Sequence, residues 1–267
     1  MNREPVLSVE ELAVYYTSSG LGIEDISFSI VRGEVLGLLG ESGSGKSTVC
    51  NAILGLLDQS AVRIRGSIRL GDIEINSLSW HQREKINGKQ IGIILQNPMS
   101  SFNPYMKIKG HFVETLCTHL SCSRRDAVRL GMEALKLTGL KDEKRIMNSY
   151  PFQLSGGMLQ RIMIAIAVSL NPVLLIADEP TTALDDSNQK IILELLTKIM
   201  KEFCPAMLLV SHDIKVMEQL ADRLIVLKDG QVRERGSTAG LLHNPADDYT
   251  RELLAAIRKL EVGRCWK

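Results

Sequence analysis

Apolar residues gather in strand-like blocks along the first third of the chain: Val6 to Tyr16, Ile23 to Ile30, Val35 to Leu39 and Ile64 to Ile75. Residues two apart in such a block share one face, so a half-polar block predicts a strand solvated on one side. Arg63, Arg65 and Arg69, interleaved with Ile64, Ile68 and Leu70, fit such a solvated face. From Pro98 to about Leu170 the spacing turns helical, as in Arg124 to Leu137 with Ala127, Val128, Leu130, Ala134 and Leu135. Unbroken apolar strands follow at Val173 to Ala177 and Ala206 to Val210, separated by a helical stretch, Ser187 to Met200. Continuous apolar strands alternating with helices predict βαβ units and a parallel sheet buried on both faces. A sheet domain interrupted by a helical insertion is expected.

The chain has 267 residues, 45% hydrophobic and 24% charged, enough for one large α/β domain or two small ones. Lys and Arg number 32 against 31 Asp and Glu, so no basic footprint points to a nucleic-acid partner. The longest apolar stretch, Ile162 to Leu170, is closed by Asn171-Pro172 and falls far short of a membrane span. Acids and a proline in MNREPVLSVE stand where a signal peptide needs an apolar core, which predicts a cytoplasmic chain. Cys50, Cys117, Cys122, Cys204 and Cys265 form no CxxC pair and are expected to be reduced thiols. No internal repeat of about 20 to 50 residues is present.

Gly40-Glu41-Ser42-Gly43-Ser44-Gly45-Lys46-Ser47 fits G-x-x-x-x-G-K-[ST] directly after the apolar strand Val35 to Leu39, and a helical pattern, Thr48 to Leu57, follows. The glycines let successive N–H groups line a concavity, and a helix starting near Lys46 aims its positive end there. Lys46 is placed to reach the β- and γ-phosphates of a nucleotide, and the Ser47 hydroxyl to ligate Mg²⁺. A second anchor, Leu174-Leu175-Ile176-Ala177-Asp178-Glu179, sets Asp178 at the carboxyl end of a buried strand, where ligands bind in open α/β sheets. Asp178 suits a Mg²⁺ site, and Glu179 is the candidate general base that polarises the attacking water. These residues alone imply Mg²⁺-dependent nucleoside triphosphate binding and hydrolysis.

Leu154-Ser155-Gly156-Gly157-Met158-Leu159-Gln160-Arg161 resembles the signature of ABC transporter ATPases. Gln96 after Ile91 to Leu95, Ala183-Leu184-Asp185 after Glu179, and His212 after Ala206 to Val210 stand in that family's order, so the resemblance covers almost the whole chain. It implies an ABC ATPase cassette: an α/β P-loop core with a mixed sheet and an N-terminal antiparallel β subdomain (1–96 and 171–235). A helical signature subdomain (97–170) and a C-terminal helical segment (236–267) complete it. It implies that two subunits pack head to tail, each ATP lying between one subunit's P-loop, Gly40 to Thr48, and the other's Leu154 to Met158. His212 would then hold the γ-phosphate and water with Glu179, and Gln96 would join Ser47 and Asp178 at Mg²⁺. Asp185 would couple the two sites, and Tyr16, or the adjacent Tyr15, would stack on adenine.

Asn97-Pro98-Met99-Ser100-Ser101-Phe102-Asn103-Pro104 resembles the loop of the oligopeptide, dipeptide and nickel importer branch. Tyr150-Pro151-Phe152-Gln153 and the stretch from Asn244-Pro245 to Leu254 agree with that branch. Phe152 replaces the branch's histidine, Asp186-Ser187-Asn188 replaces apolar residues, and Cys265 near Lys267 stands where longer members carry a cysteine-bearing extension. The shorter form resembles the nickel or metallophore subgroup. The resemblance therefore implies an ATP-hydrolysing importer subunit, peripheral on the cytoplasmic face of the inner membrane. Two transmembrane permease subunits, a second ATPase or another copy of this chain, and an extracytoplasmic solute-binding protein would be its partners. Its cargo would be nickel, a nickel metallophore or a small peptide; a soluble regulatory ABC ATPase is the alternative.

Overall fold

The computed structural model describes residues 4–18, 20–182 and 184–264. Ala183 and Cys265 lie outside the described residues. The chain divides into two compact units, Met1–Arg83 with Ala206–Lys267, and Glu84–Pro205. Its first elements are β1 (Pro5–Tyr16), β2 (Gly20–Val31), β3 (Val35–Leu39), α1 (Lys46–Leu54), β4 (Val62–Leu70), β5 (Ile73–Glu74) and α2 (Trp80–Ile86). Then come β6 (Ile91–Ile94), α3 (Pro98–Ser101), α4 (Ile108–His119), α5 (Arg124–Leu137), α6 (Glu143–Asn148), a 3₁₀ turn at Pro151–Gln153 and α7 (Gly156–Ser169). β7 (Leu174–Asp178), α8 (Asp186–Phe203), β8 (Ala206–Val210) and α9 (Ile214–Leu220) lead to β9 (Arg223–Lys228), β10 (Gln231–Ser237), α10 (Thr238–His243) and α11 (Asp248–Arg264).

In the first unit, β2-β1-β4-β5 form an antiparallel sheet. The strand expected over Ile64 to Ile75 is broken, because Gly71 turns the chain at φ +55 and donates its N–H to Val6 at 2.8 Å. The outer side of β4 is solvated: Arg63 and Arg65 are exposed, and the Arg65 guanidinium sits 5.8 Å from the Tyr15 ring centroid. The other sheet of this unit runs β10-β9-β3-β8, with β3 parallel to both neighbours and β10 antiparallel to β9. β3 reads VLGLL and is buried at every position, as a strand covered on both faces must be. That central strand delivers the chain to Gly40.

In the second unit, β6 and β7 pair in parallel, Gly92 opposite Leu175. α5 spans the residues its periodicity marks, and its Ser123 cap accepts from the Asp126 N–H at 3.1 Å. α7 packs on β6, α5 and α8, and its Leu159, Ile162, Met163 and Ile164 are buried. Ile162 is fully enclosed, so Ile162→Ala would cost about 2–5 kcal/mol. No helix among the described residues is long and apolar enough to cross a membrane.

Candidate nucleotide site

The loop after β3 joins a fully buried strand to the start of α1. Gly45 caps α1 at φ 106 and ψ −1 and, having no side chain, contributes no cap oxygen of its own to the first turn. An alanine there would be strained by the positive φ and would bring its Cβ within 2.5 Å of Ile23 Cγ2. Lys46 is only 8% exposed, and a buried ammonium needs compensating oxygens. Its Nζ donates to the carbonyls of Gly40 and Glu41, each at 2.7 Å, and to Ser44 Oγ at 3.3 Å. The Lys46 charge is thereby held inside the loop. The turn after β9 braces the loop from outside, where the Gly230 N–H donates to the Ser44 carbonyl at 3.1 Å. Glu41, Ser42, Gly43 and Ser47 are exposed.

Tyr16 and Thr48 share a hydrogen bond at 3.2 Å between their hydroxyls, which ties the end of β1 to α1. Tyr15 instead donates to Glu24 Oε1 at 3.4 Å. Of the two tyrosines, only Tyr16 is bonded to the P-loop helix. His212 follows β8 and is exposed, in a turn fixed by the Asp213 N–H donating to Ser211 Oγ at 3.1 Å. These residues all belong to the first unit.

The remaining candidates lie in the second unit. Asp178 ends β7 and is half-buried. Glu179 follows in the left-handed region at φ 50, uncommon outside glycine, and its Oε2 accepts from Thr182 Oγ1 at 2.5 Å. Gln96 is exposed just past β6. Ser155 caps α7, its Oγ accepting from the Met158 N–H at 3.3 Å, with Leu154 buried, Gly156 exposed and Gly157 buried. A Cβ on Gly157 would collide with the Asn188 side chain. Asn188 in turn gives its N–H to Asp185 Oδ1 at 2.9 Å and its Nδ2 to Oδ2 at 2.7 Å. Those donors hold the Asp185 carboxyl below the usual carboxylate range. Asn188, read from sequence only as a departure, thus links the signature turn to Asp185. Thr182 and Gln160 were not singled out either; the signal for Gln160 was its polarity within the apolar run of α7.

A family model described as "ABC transporter" matches residues 23–182. This chain belongs to the ABC transporter family. The metal-staphylopine import system ATP-binding protein CntD of Staphylococcus aureus is 42% identical over 238 residues, covering 89% of this chain and 88% of that one. The oligopeptide transport ATP-binding protein OppD of Lactococcus lactis subsp. cremoris is 40% identical over 257 residues, covering 95% and 76%. The dipeptide transport ATP-binding protein DppD of Haemophilus influenzae is 37% identical over 262 residues, covering 97% and 79%. Among solved structures, the ATP-binding cassette MJ0796, a dimer bound to ADP and Pi in a post-hydrolysis state, superposes with a TM-score of 0.76 at 30% identity, covering 87% and 98%. CbiO1 of Clostridium perfringens, part of the ABC transporter complex cbiONQ, gives 0.78 at 26%, covering 97% and 98%. The chain has the ABC cassette fold and is an ABC ATPase, an enzyme that uses ATP.

Proposed function

We propose that this ABC ATPase is the motor subunit of an importer for a metal–metallophore complex, nickel or a small peptide. The observation that carries the reading is that one chain has two glycine-rich helix starts without an acidic residue in the first turn, the P-loop with Lys46 and the Ser155-capped start of α7. A nucleotide held at one subunit's P-loop and closed over by another subunit's signature uses both. ATP then favours the closed pair, and loss of the γ-phosphate removes the contacts that favoured it, so hydrolysis becomes an opening motion.

Residue roles follow from chemistry. Ser47, Gln96 and Asp178 offer hydroxyl, amide and carboxylate oxygens, the hard donors Mg²⁺ prefers. When bound, Mg²⁺ neutralises charge developing on the phosphate oxygens. Glu179 orients and deprotonates water, His212 donates to the γ-phosphate, and Tyr16 stacks on the base. Asp185 and the Gly156 and Gly157 N–H groups serve the site across the dimer. The motor works peripherally at the cytoplasmic face of the membrane, with two permeases, a second ATPase or another copy, and a solute-binding protein. Similarity to CntD supports a metallophore cargo, and similarity to OppD and DppD supports a peptide one.

The test is affinity capture of tagged Glu179→Gln chain with ATP from solubilised native membranes, identifying each co-purifying chain. Two multi-spanning subunits with a solute-binding protein are expected, and that protein's ligand names the cargo. Recovery of soluble chains alone would overturn the importer reading in favour of a soluble regulatory ATPase.

A further inference from the structure

The buried side of α7 is apolar at Leu159, Ile162, Met163 and Ile164, yet Gln160 among them is only 1% exposed. A buried amide needs partners, and these are specific. Its Nε2 donates to the Pro180 carbonyl at 2.9 Å and, more weakly, to the Leu95 carbonyl at 3.4 Å. β6 stops at Ile94 and β7 at Asp178, so both acceptors lie just past a strand end, where the ladder no longer supplies donors. Exchanging the amide nitrogen and oxygen would set oxygen against two carbonyl oxygens, which assigns the orientation. The Leu95 N–H donates to Met163 Sδ at 3.1 Å. Residues 160 and 163 lie on one helix face, and that face thus holds the backbone N–H and carbonyl of Leu95, the residue before Gln96. On the other strand, the Pro180 carbonyl follows Glu179, whose left-handed φ persists only where surroundings hold it. Gln160 Oε1 is buried without a hydrogen-bond partner, so space filling alone would be served as well by an apolar chain of equal length.

We propose that Gln160, with Met163, is a positioning residue that ties the catalytic strand ends, carrying Gln96 and Glu179, to the signature helix. The inference rests on the motor reading for its purpose: a helix engaged at Ser155 by a neighbour's nucleotide carries that engagement to the attacking water. Gln160 lies about one turn inside α7, so a shift of the helix start is transmitted rigidly. It touches no substrate and acts through the two backbone carbonyls it holds.

The experiment compares the full chain with Gln160→Met, which keeps length and removes the donor. Amide exchange without nucleotide is expected to quicken in residues 95–97 and 179–182 and to stay unchanged elsewhere. ATPase kcat should fall about tenfold or more with KM for ATP within about twofold, as for a misplaced but intact site. Gln160→Glu adds a pH readout: its carboxylate opposes both carbonyls, while its protonated form regains one O–H donor. Its kcat relative to wild type should therefore rise as pH falls from about 8 to about 6. Wild-type exchange and kcat in Gln160→Met would overturn the proposal. So would uniformly faster exchange with unchanged turnover per folded molecule, which marks a packing role. If Gln160→Met fails to fold, Met163→Leu tests the Leu95 end, with faster exchange at 95–97 and slower turnover expected and wild-type behaviour overturning it. If the wild-type chain itself hydrolyses no ATP, the motor reading fails, and the exchange data still decide the tie.

Discussion

α1 and α7 both start at glycine-containing turns, and neither carries an acidic residue in its first turn, but their caps differ. α1 is capped by Gly45 with no side-chain bond, and Lys46 adds a buried cation held on the Gly40 and Glu41 carbonyls. α7 commits the Met158 N–H to Ser155 Oγ. Arg161 turns its Nε back to the Gly157 carbonyl at 3.3 Å. Under the proposed function the first start binds an anion by itself and the second completes one already bound. α8 makes the contrast sharper, since Asp185 caps it and Asp186 opens it, supplying from within the negative charge that α1 and α7 lack.

The largest effect should come from removing the cation. Lys46→Ala is expected to weaken ATP binding by about 100-fold or more, because a charge-assisted contact in a buried loop is lost. Titration with a fluorescent ATP analogue checks it; a loss under about threefold would place binding energy in the backbone amides instead. Next in size is Glu179→Gln, expected to lower kcat by about 10²–10⁴ while leaving ATP affinity intact. Single-turnover hydrolysis measures this, and unimpaired chemistry would remove Glu179 from the base role.

Changes at the start of α7 should register in stability while sparing ATP binding by the isolated chain. Gly157→Ala forces the Asn188 side chain aside and is expected to cost about 1–3 kcal/mol, seen in urea unfolding, together with lost turnover. Ser155→Ala removes one cap and should cost about 0.5–2 kcal/mol while leaving ATP binding by the isolated chain unchanged. A fall in that affinity comparable to Lys46→Ala would erase the distinction between the two helix starts.

The P-loop and several regular elements were legible because strong local signals agreed. VLGLL, the glycines and Lys46 each demand one arrangement, and β3, α5 and β8 fall where their patterns end. The split between β4 and β5 was written in the sequence and went unread: apolar positions are even-numbered through Ile64, Ile68 and Leu70 and odd-numbered at Ile73 and Ile75, a phase shift at Gly71-Asp72 that marks a turn. The Gln160 bonds were not legible, since they depend on partners far apart in sequence, residues 65 and 20 positions away. Asp185 was placed by resemblance as a coupling residue, whereas its cap geometry was written in the spacing to Asn188 and went unread.

The smallest predicted effect tests whether α8 supplies its own negative charge. Asp185→Asn keeps a competent cap acceptor and removes only charge. In the folded chain the carboxyl titrates below its ordinary value because the Asn188 N–H, and then its Nδ2, favour the ionised form. A lowered folded pKa means the charge stabilises the fold above the unfolded value of about 3.9 and ceases to as pH falls through the folded value. The melting temperature of wild type should thus exceed that of the variant by a constant margin from about pH 8 to 5, and the margin should close in stronger acid. The carboxylate is fully exposed, so screening keeps the margin small, and added salt should shrink it further. A margin that persists unchanged into acid would mean that Asp185 caps α8 by geometry alone and that its charge is available to another subunit's loop.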